Sequence, residues 1–228
     1  MNAGGDVLGA NGTTLRLFSS PSGTVFQSGN SGFSTNVRGT AFVGSNYAAL
    51  STDASGNIAI NILSSSFALL SSTVIVNVLA TAGGVGALSG LAATTSSGGI
   101  TNLWFSYRSN ANVATLQKVT LTGTAISGSI GFSMTGFSTA SLTTSYAVMA
   151  AHGSAVYVVG PDATTLTTTR IQKFGAFGGG TALISDGTTT AFSVPTTGGW
   201  SGANVIAPEP SSLLGLGLAA LLLRRRRG

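Results

Sequence analysis

The sequence predicts an all-β protein built from antiparallel hairpins. Short runs rich in β-branched and aromatic residues recur along the chain, and clusters of Gly, Asn, Asp and Ser separate them. No segment before residue 208 shows the charged amphipathic period of a surface helix. Only 7% of the 228 residues are charged but 43% are hydrophobic, so one domain with a substantial core is expected.

Five strand pairs are predicted in order along the chain. The first two and the last flank short segments of turn residues, and the third and fourth join strand-like runs that follow each other in the sequence. The pairs are residues 13–18 with 24–27, 47–51 with 57–63, 103–107 with 115–121, 156–159 with 169–174, and 181–185 with 188–194. In the last pair, Asp186 and Gly187 form the predicted turn.

Residues 67–93 carry no charge and are numerous enough to span a bilayer as a helix. The β-branched run at residues 73–78 and the glycines that follow it favour buried strands instead. Gly84, Gly86 and Gly90 resemble a dinucleotide-binding loop, but their spacing is one residue too long and no acidic residue follows at the required distance. A glycine turn is therefore predicted there.

A weak internal sequence repeat gives information about the overall architecture. Leu-Gln-Lys-Val at residues 116–119 aligns with Ile-Gln-Lys-Phe at residues 171–174, a step of 55, and the same step backwards reaches residues 60–63. This period is close to the roughly 50 residues of a kelch-type propeller blade. The recurrence predicts a partial β-propeller-like body, and a β-sandwich in which the similarity is accidental is the alternative.

The basic net charge of +5 does not indicate a nucleic-acid-binding protein. Four of the ten basic residues end the chain, and the other six are scattered singly, whereas phosphate binding needs clustered cations. Those six residues are Arg16, Arg38, Arg108, Lys118, Arg170 and Lys173. The absence of cysteine excludes disulfides and thiolate chemistry.

Catalytic and metal-binding signals are weak, so no catalytic residue, metal or cofactor is predicted. Residues 53–57 resemble a calcium loop, but the oxygen spacing is wrong and the bidentate Glu is missing, so a hairpin turn is expected. A hydrolase would need the single histidine, His152, to converge with two of Asp53, Asp162 and Asp186.

Threonine rows at residues 164–169 and 188–190 could bind polysaccharide or ice if they lay on a flat sheet face. The solvent-facing side of ordinary strands is the simpler interpretation, since threonine favours strands on its own account.

The last twenty-one residues contain three distinct parts in a fixed order. Pro208, Glu209 and Pro210 form a stiff, extended segment because both prolines fix φ and lack an N–H. An apolar run predicted to be helical in lipid follows, but it is shorter than the roughly 17 to 25 residues that span a bilayer easily. Its leucines are Leu213, Leu214, Leu216, Leu218, Leu221, Leu222 and Leu223.

Four arginines follow the apolar run and complete the tail: Arg224, Arg225, Arg226 and Arg227. Their charge is predicted to keep the C-terminus in the cytoplasm, which places the rest of the chain on the far side of the membrane.

This tail resembles the PEP-CTERM sorting signal of exported proteins in Gram-negative bacteria, which some ice-binding proteins also carry. The resemblance implies recognition by a membrane-embedded exosortase, cleavage near the Pro-Glu-Pro triplet, and release from the inner membrane towards the cell surface or extracellular matrix. It covers about a tenth of the chain. The predicted organisation is a β-rich exported domain at residues 1–200, a linker at 201–207 and the sorting signal with its membrane anchor at 208–228.

Proteins with this signal also begin with a signal peptide, and residues 1–6 show neither its basic start nor its apolar stretch. We therefore expect a misassigned start or a truncated gene copy, and export by another route is the remaining alternative. The leading prediction is a non-enzymatic exported surface or matrix protein. A secreted polysaccharide- or ice-binding module is the alternative, and a hydrolase is third.

Overall fold

The computed structural model describes residues 6–19, 22–76, 85–95, 100–109, 113–134, 136–137, 147–152, 155–161, 168–176 and 184–193. Within these ranges all the regular secondary structure is β-strand, and no residue is helical. The all-β prediction is therefore confirmed for this part of the chain.

The strands form four antiparallel sheets in which successive strands along the chain are neighbours. Sheet 1 contains β1 (Val7–Asn11), β2 (Thr14–Phe18) and β3 (Val25–Asn30). Sheet 2 contains β4 (Gly39–Val43), β5 (Asn46–Thr52), β6 (Ile58–Leu63) and β7 (Leu69–Val76). Sheet 3 contains β8 (Val85–Thr95), β9 (Thr101–Ser109), β10 (Ala114–Thr122) and β11 (Ala125–Ser133). Sheet 4 contains β12 (Ala147–His152), β13 (Ala155–Pro161), β14 (Thr168–Ala176) and β15 (Ile184–Ser193).

The first four predicted strand pairs are confirmed, as β2 with β3, β5 with β6, β9 with β10, and β13 with β14. The fifth prediction, a hairpin turning at Asp186 and Gly187, is wrong because β15 runs through both residues. Phe174 pairs with Ser185 and Gln172 with Thr189, so β15 contains extra residues at this point. Because β14 pairs with β15 on both sides of the Asp-Gly step, the turn signal produces a β-bulge instead.

The strands predicted within residues 67–93 are confirmed as β7 and β8, with residues 77–84 outside the described part. The prediction that they are buried is wrong for β7, which is the outermost strand of sheet 2 and largely exposed. The glycine turn is also not found, since Gly86 and Gly90 lie within β8. Gly90 has a φ of +71° next to a register shift, so its conformational freedom supports a bulge.

The four sheets pack face to face in chain order, and each neighbouring pair shares a hydrophobic cluster. On β5, Tyr47 and Ala49 pack towards sheet 1, while Ala48 and Leu50 pack towards sheet 3. Alternate side chains of one strand thus enter two different cores, as the pleat of a strand requires. On β9, Trp104 packs towards sheet 4, whereas the adjacent residues Leu103 and Phe105 pack towards sheet 2.

The depth of burial depends on strand position within a sheet. The first strands are in contact in series, β1 with β4, β4 with β8, and β8 with β12. The third strand β6 is buried throughout, whereas the fourth strands β7 and β11 are mostly exposed. In sheets 2 and 3 the side chains therefore change from mostly buried on the third strands, β6 and β10, to mostly exposed on the fourth strands, β7 and β11.

Candidate functional site

The predicted sorting residues lie outside the part of the chain that the structure describes, which ends at Ser193. This applies to Pro208, Glu209 and Pro210, to the apolar run and to the terminal arginines. No helix among the described residues has the length and apolarity to cross a membrane. The tail and its membrane helix therefore remain predictions.

Asp53 lies in the turn between β5 and β6, and hydrogen bonds within that turn engage its carboxylate. Oδ1 accepts the backbone N–H groups of Ser55 at 2.9 Å and Asn57 at 2.8 Å, and Oδ2 accepts the Asn57 Nδ2–H at 3.0 Å. The Asn57 side-chain hydrogen bond is the main cause that lowers the pKa of Asp53 below its ordinary value. Gly56 supplies the positive φ of +84°. The prediction of a hairpin turn at residues 53–57 is confirmed.

The residues that a hydrolase would require are placed in different parts of the fold. Asp53 lies between the second and third strands of sheet 2, whereas His152 ends the first strand of sheet 4. In an antiparallel meander, the turn between the first and second strands lies at one end of the sheet, and the turn between the second and third strands lies at the other end. Asp186 lies within β15, and Asp162 is outside the described residues. The topology gives no support to their convergence.

The threonine rows are described only in part. Thr168 and Thr169 begin β14, and residues 188–190 lie on β15, where Thr189 pairs with Gln172. Residues 164–167 are outside the described part. A flat threonine face that binds polysaccharide or ice stays a prediction.

Among the described residues, no three His, Cys, Asp or Glu side chains come close enough together to hold a metal ion.

The sequence analysis did not identify a recurring buried amide on the third strands. Asn61 on β6, Gln117 on β10 and Gln172 on β14 are 1%, 6% and 3% exposed. Asn61 Nδ2 donates to the Ser31 carbonyl oxygen at 2.9 Å, and Gln117 Nε2 donates to Ser129 Oγ at 2.7 Å. The Asn61 hydrogen bond ties a third strand to the segment that leads into its own sheet.

A short motif accompanies two of these amides. Ser-Gly-Phe-Ser-Thr at residues 31–35 precedes sheet 2, and Thr-Gly-Phe-Ser-Thr at residues 135–139 precedes sheet 4. A Cβ on Gly32 would lie 2.8 Å from Asn61 Nδ2, and one on Gly136 would lie 3.3 Å from Gln172 Oε1. This near-identity of five residues was the sequence signal that could have revealed the amide contacts.

The aromatic residue of each motif enters a core between sheets. Phe33 lies in the cluster between sheets 1 and 2, and Phe137 lies in the cluster between sheets 3 and 4. Asn61 Oδ1 and Gln172 Oε1 are buried without a hydrogen-bond partner among the described residues. The arrangement holds a linker against a third strand, so its chemistry is structural.

The chain was compared with protein-family models and with curated proteins. No family model matches the chain, and no curated protein matches it.

Proposed function

We propose that this chain is an exported bacterial surface or matrix protein sorted by a PEP-CTERM signal at residues 208–228. The observation that carries the proposal is the order of three different parts at the end of the chain: a proline-flanked glutamate, a short apolar run and four arginines. Any one part alone is common, but the combination in this order is specific to a sorting segment.

Each part has a physical role in the proposed route. The apolar run enters the inner membrane, and its shortness makes it a weak anchor that requires thinning of the bilayer. The arginines hold the terminus on the cytoplasmic side. Pro208, Glu209 and Pro210 then form the rigid segment that exosortase recognises, and cleavage there releases the body towards the surface or an extracellular polysaccharide matrix.

The body is proposed to be non-catalytic, and its four sheets are proposed to be blades of a partial β-propeller. Three observations support this architecture over a β-sandwich. Each sheet is a meander, the first strands of successive sheets are in contact, and sheets 2 and 3 are covered on both faces. In addition, the sequence recurrence falls on the third strand every time, on β6, β10 and β14.

The sorting proposal is tested in a host that contains an exosortase, with a cleavable signal peptide fused ahead of Met1 in every version of the chain. In the test variant, alanine replaces Pro208, Glu209 and Pro210. We expect unprocessed protein to accumulate in the membrane fraction, while the unaltered chain is released in a shorter form. The matched control replaces Pro195, Thr196 and Thr197 with alanine, which is the same number of substitutions upstream of the tail. Release of the Pro208-Glu209-Pro210 variant at the normal level would contradict recognition by exosortase.

A further inference from the structure

The turn between β1 and β2 contains an asparagine that is followed directly by glycine, the one such step in the sequence. β1 ends at Asn11 and β2 begins at Thr14, so Gly12 and Thr13 are the two turn residues. Gly12 has a φ of +61°, which suits a glycine at the first central position of a type II′ turn. The glycine that this turn requires is therefore also the residue that follows Asn11.

An asparagine followed by glycine can convert to aspartate without an enzyme. The backbone nitrogen of the glycine attacks the side-chain carbonyl carbon and closes a cyclic imide, and the side-chain nitrogen leaves as ammonia with the proton that the attacking nitrogen loses. Water then opens the imide at one of its two carbonyl groups, which gives aspartate or isoaspartate. Glycine favours ring closure because it has no side chain and its backbone is the least restricted.

The surroundings of Asn11 leave room for this reaction. Asn11 and Gly12 are both exposed, and the Asn11 carboxamide forms no hydrogen bond with any described residue. A Cβ added at Gly12 would have only Asn36 Oδ1 within 4 Å, at 3.7 Å. Ring closure requires rotation of the Asn11 backbone, and this rotation opens only the last pair of the ladder between β1 and β2, Asn11 with Thr14.

Asn30 provides a comparison within the same sheet. It also is exposed and ends a strand, and a small residue, Ser31, follows it. However, Asn30 Oδ1 accepts a hydrogen bond from the Gly32 N–H at 2.8 Å, and Ser31 is fully buried. The Asn30 carboxamide is therefore held in place, and the nitrogen that would attack it lies in a packed part of the fold.

We propose that Asn11 is a site of spontaneous deamidation, in which the Gly12 nitrogen displaces ammonia from the Asn11 side chain and water completes the conversion to aspartate and isoaspartate. The proposal does not depend on the sorting signal, because it requires only the folded turn and water.

The modification would loosen the attachment of sheet 1 to sheet 2. The Gly12 carbonyl oxygen accepts the Val37 N–H, and the Thr13 carbonyl oxygen accepts the Ser31 N–H, each at 2.9 Å. The turn is thus bound to the segment that joins β3 to β4. Isoaspartate inserts the Cβ of residue 11 into the main chain and so shifts Gly12 away from these partners. Aspartate adds only a negative charge and keeps the original backbone.

The test is incubation of the full chain at mildly alkaline pH, followed by mass spectrometry of its peptides. Deamidation adds about 1 Da to a peptide, and fragmentation that cleaves within the main chain distinguishes isoaspartate from aspartate. We expect Asn11 to react about tenfold faster than Asn30, which corresponds to a barrier lower by about 1.4 kcal/mol. Asn11→Gln is the matched control: it keeps a carboxamide but would need a larger ring, so residue 11 should then stay unmodified.

Two results would contradict the proposal. A rate at Asn11 no higher than that at Asn30 would show that the exposed turn gives no advantage to the attack. Equal modification of residue 11 in the Asn11→Gln variant would show that ring closure by Gly12 is not the route.

Hydrogen exchange measures the structural consequence. In the fraction that contains isoaspartate, the amides of Ser31 and Val37 should exchange about tenfold faster, with residues 114–122 of β10 unchanged. Asn11→Asp carries the charge on a normal backbone and should exchange like the unaltered chain. Unchanged exchange at Ser31 and Val37 in the isoaspartate fraction would refute the loosening of sheet 1.

Discussion

Asn61 Nδ2 on β6 donates a hydrogen bond to the Ser31 carbonyl oxygen at 2.9 Å and so joins sheet 2 to the segment that leaves sheet 1. The contact is buried, and Asn61 is only 1% exposed. Gly32 makes the close approach possible, because it lacks the Cβ that would lie 2.8 Å from Asn61 Nδ2 and because its φ of +78° suits glycine.

Gly32→Ala should therefore destabilise the protein by about 2–4 kcal/mol. The left-handed backbone accounts for about 1–2 kcal/mol, and displacement of Asn61 from a buried hydrogen bond accounts for the rest. Unfolding by denaturant, followed by circular dichroism, measures the change. Gly44→Ala is the matched control, since Gly44 has a φ of +59° but no atom within 4 Å of an added Cβ. Equal destabilisation by both substitutions would show that the Asn61 contact contributes nothing.

The interface between sheets 2 and 3 should be a main source of stability. Ile60 on β6 is fully buried in that cluster, whereas Ile130 on β11 is 39% exposed. We expect Ile60→Ala to cost about 2–5 kcal/mol through lost burial and the cavity left behind. Ile130→Ala deletes the same atoms from an exposed site and should cost less than about 1 kcal/mol. Comparable losses in the two variants would contradict the packing of sheet 2 on sheet 3.

The sequence predicted local strand pairing well because turn residues and β-branched runs act within a few residues of each other. The pairing of β5 with β6 around Asp53 is of this kind. The sequence prediction failed at Asp186 and Gly187, where β14 offers a long continuous partner and the turn signal becomes a bulge. Local propensity does not contain that information, because the partner strand lies elsewhere in the chain.

The proposed sorting tail and the buried amide contacts differ in how far the sequence could predict them. The prediction of a sorting tail depends only on the composition of residues 208–228, which lie beyond the described residues, so it stays a prediction. The contact between Asn61 and Ser31 spans thirty residues, so only the repeated pentapeptide at residues 31–35 and 135–139 could have indicated it.

The recurrence of Gln-Lys on third strands places a lysine beside an aromatic residue twice. Lys118 on β10 pairs with Trp104 on β9, and its Nζ lies 5.8 Å from the centroid of the Trp104 ring. On the third strand of sheet 4, Lys173 pairs with Tyr157 in the same way. Lys118→Met keeps the apolar stem but removes the charge, and we expect a loss of about 0.5–1 kcal/mol. Lys173→Met should cost a similar amount if the sheets are true repeats. Denaturant midpoints for both variants check this, and a gain in stability at either position would contradict an attractive contact.

The turn at Asp53 should give the protein a specific sensitivity to acid. Hydrogen bonding, above all from the Asn57 side chain, lowers the pKa of the folded-state carboxyl below its ordinary value of 3.8. A lowered pKa means that this contribution to stability is fully present above the unfolded-state value and is lost as the pH falls through the folded-state value. Asp53→Asn keeps one acceptor oxygen for the Ser55 and Asn57 N–H groups but cannot titrate. The variant should be less stable than the unaltered chain at pH 7, and this difference should shrink as the pH falls below about 4. Denaturant midpoints of both proteins across this range measure it, and a difference that stays constant with pH would show that the Asp53 charge does not stabilise the turn.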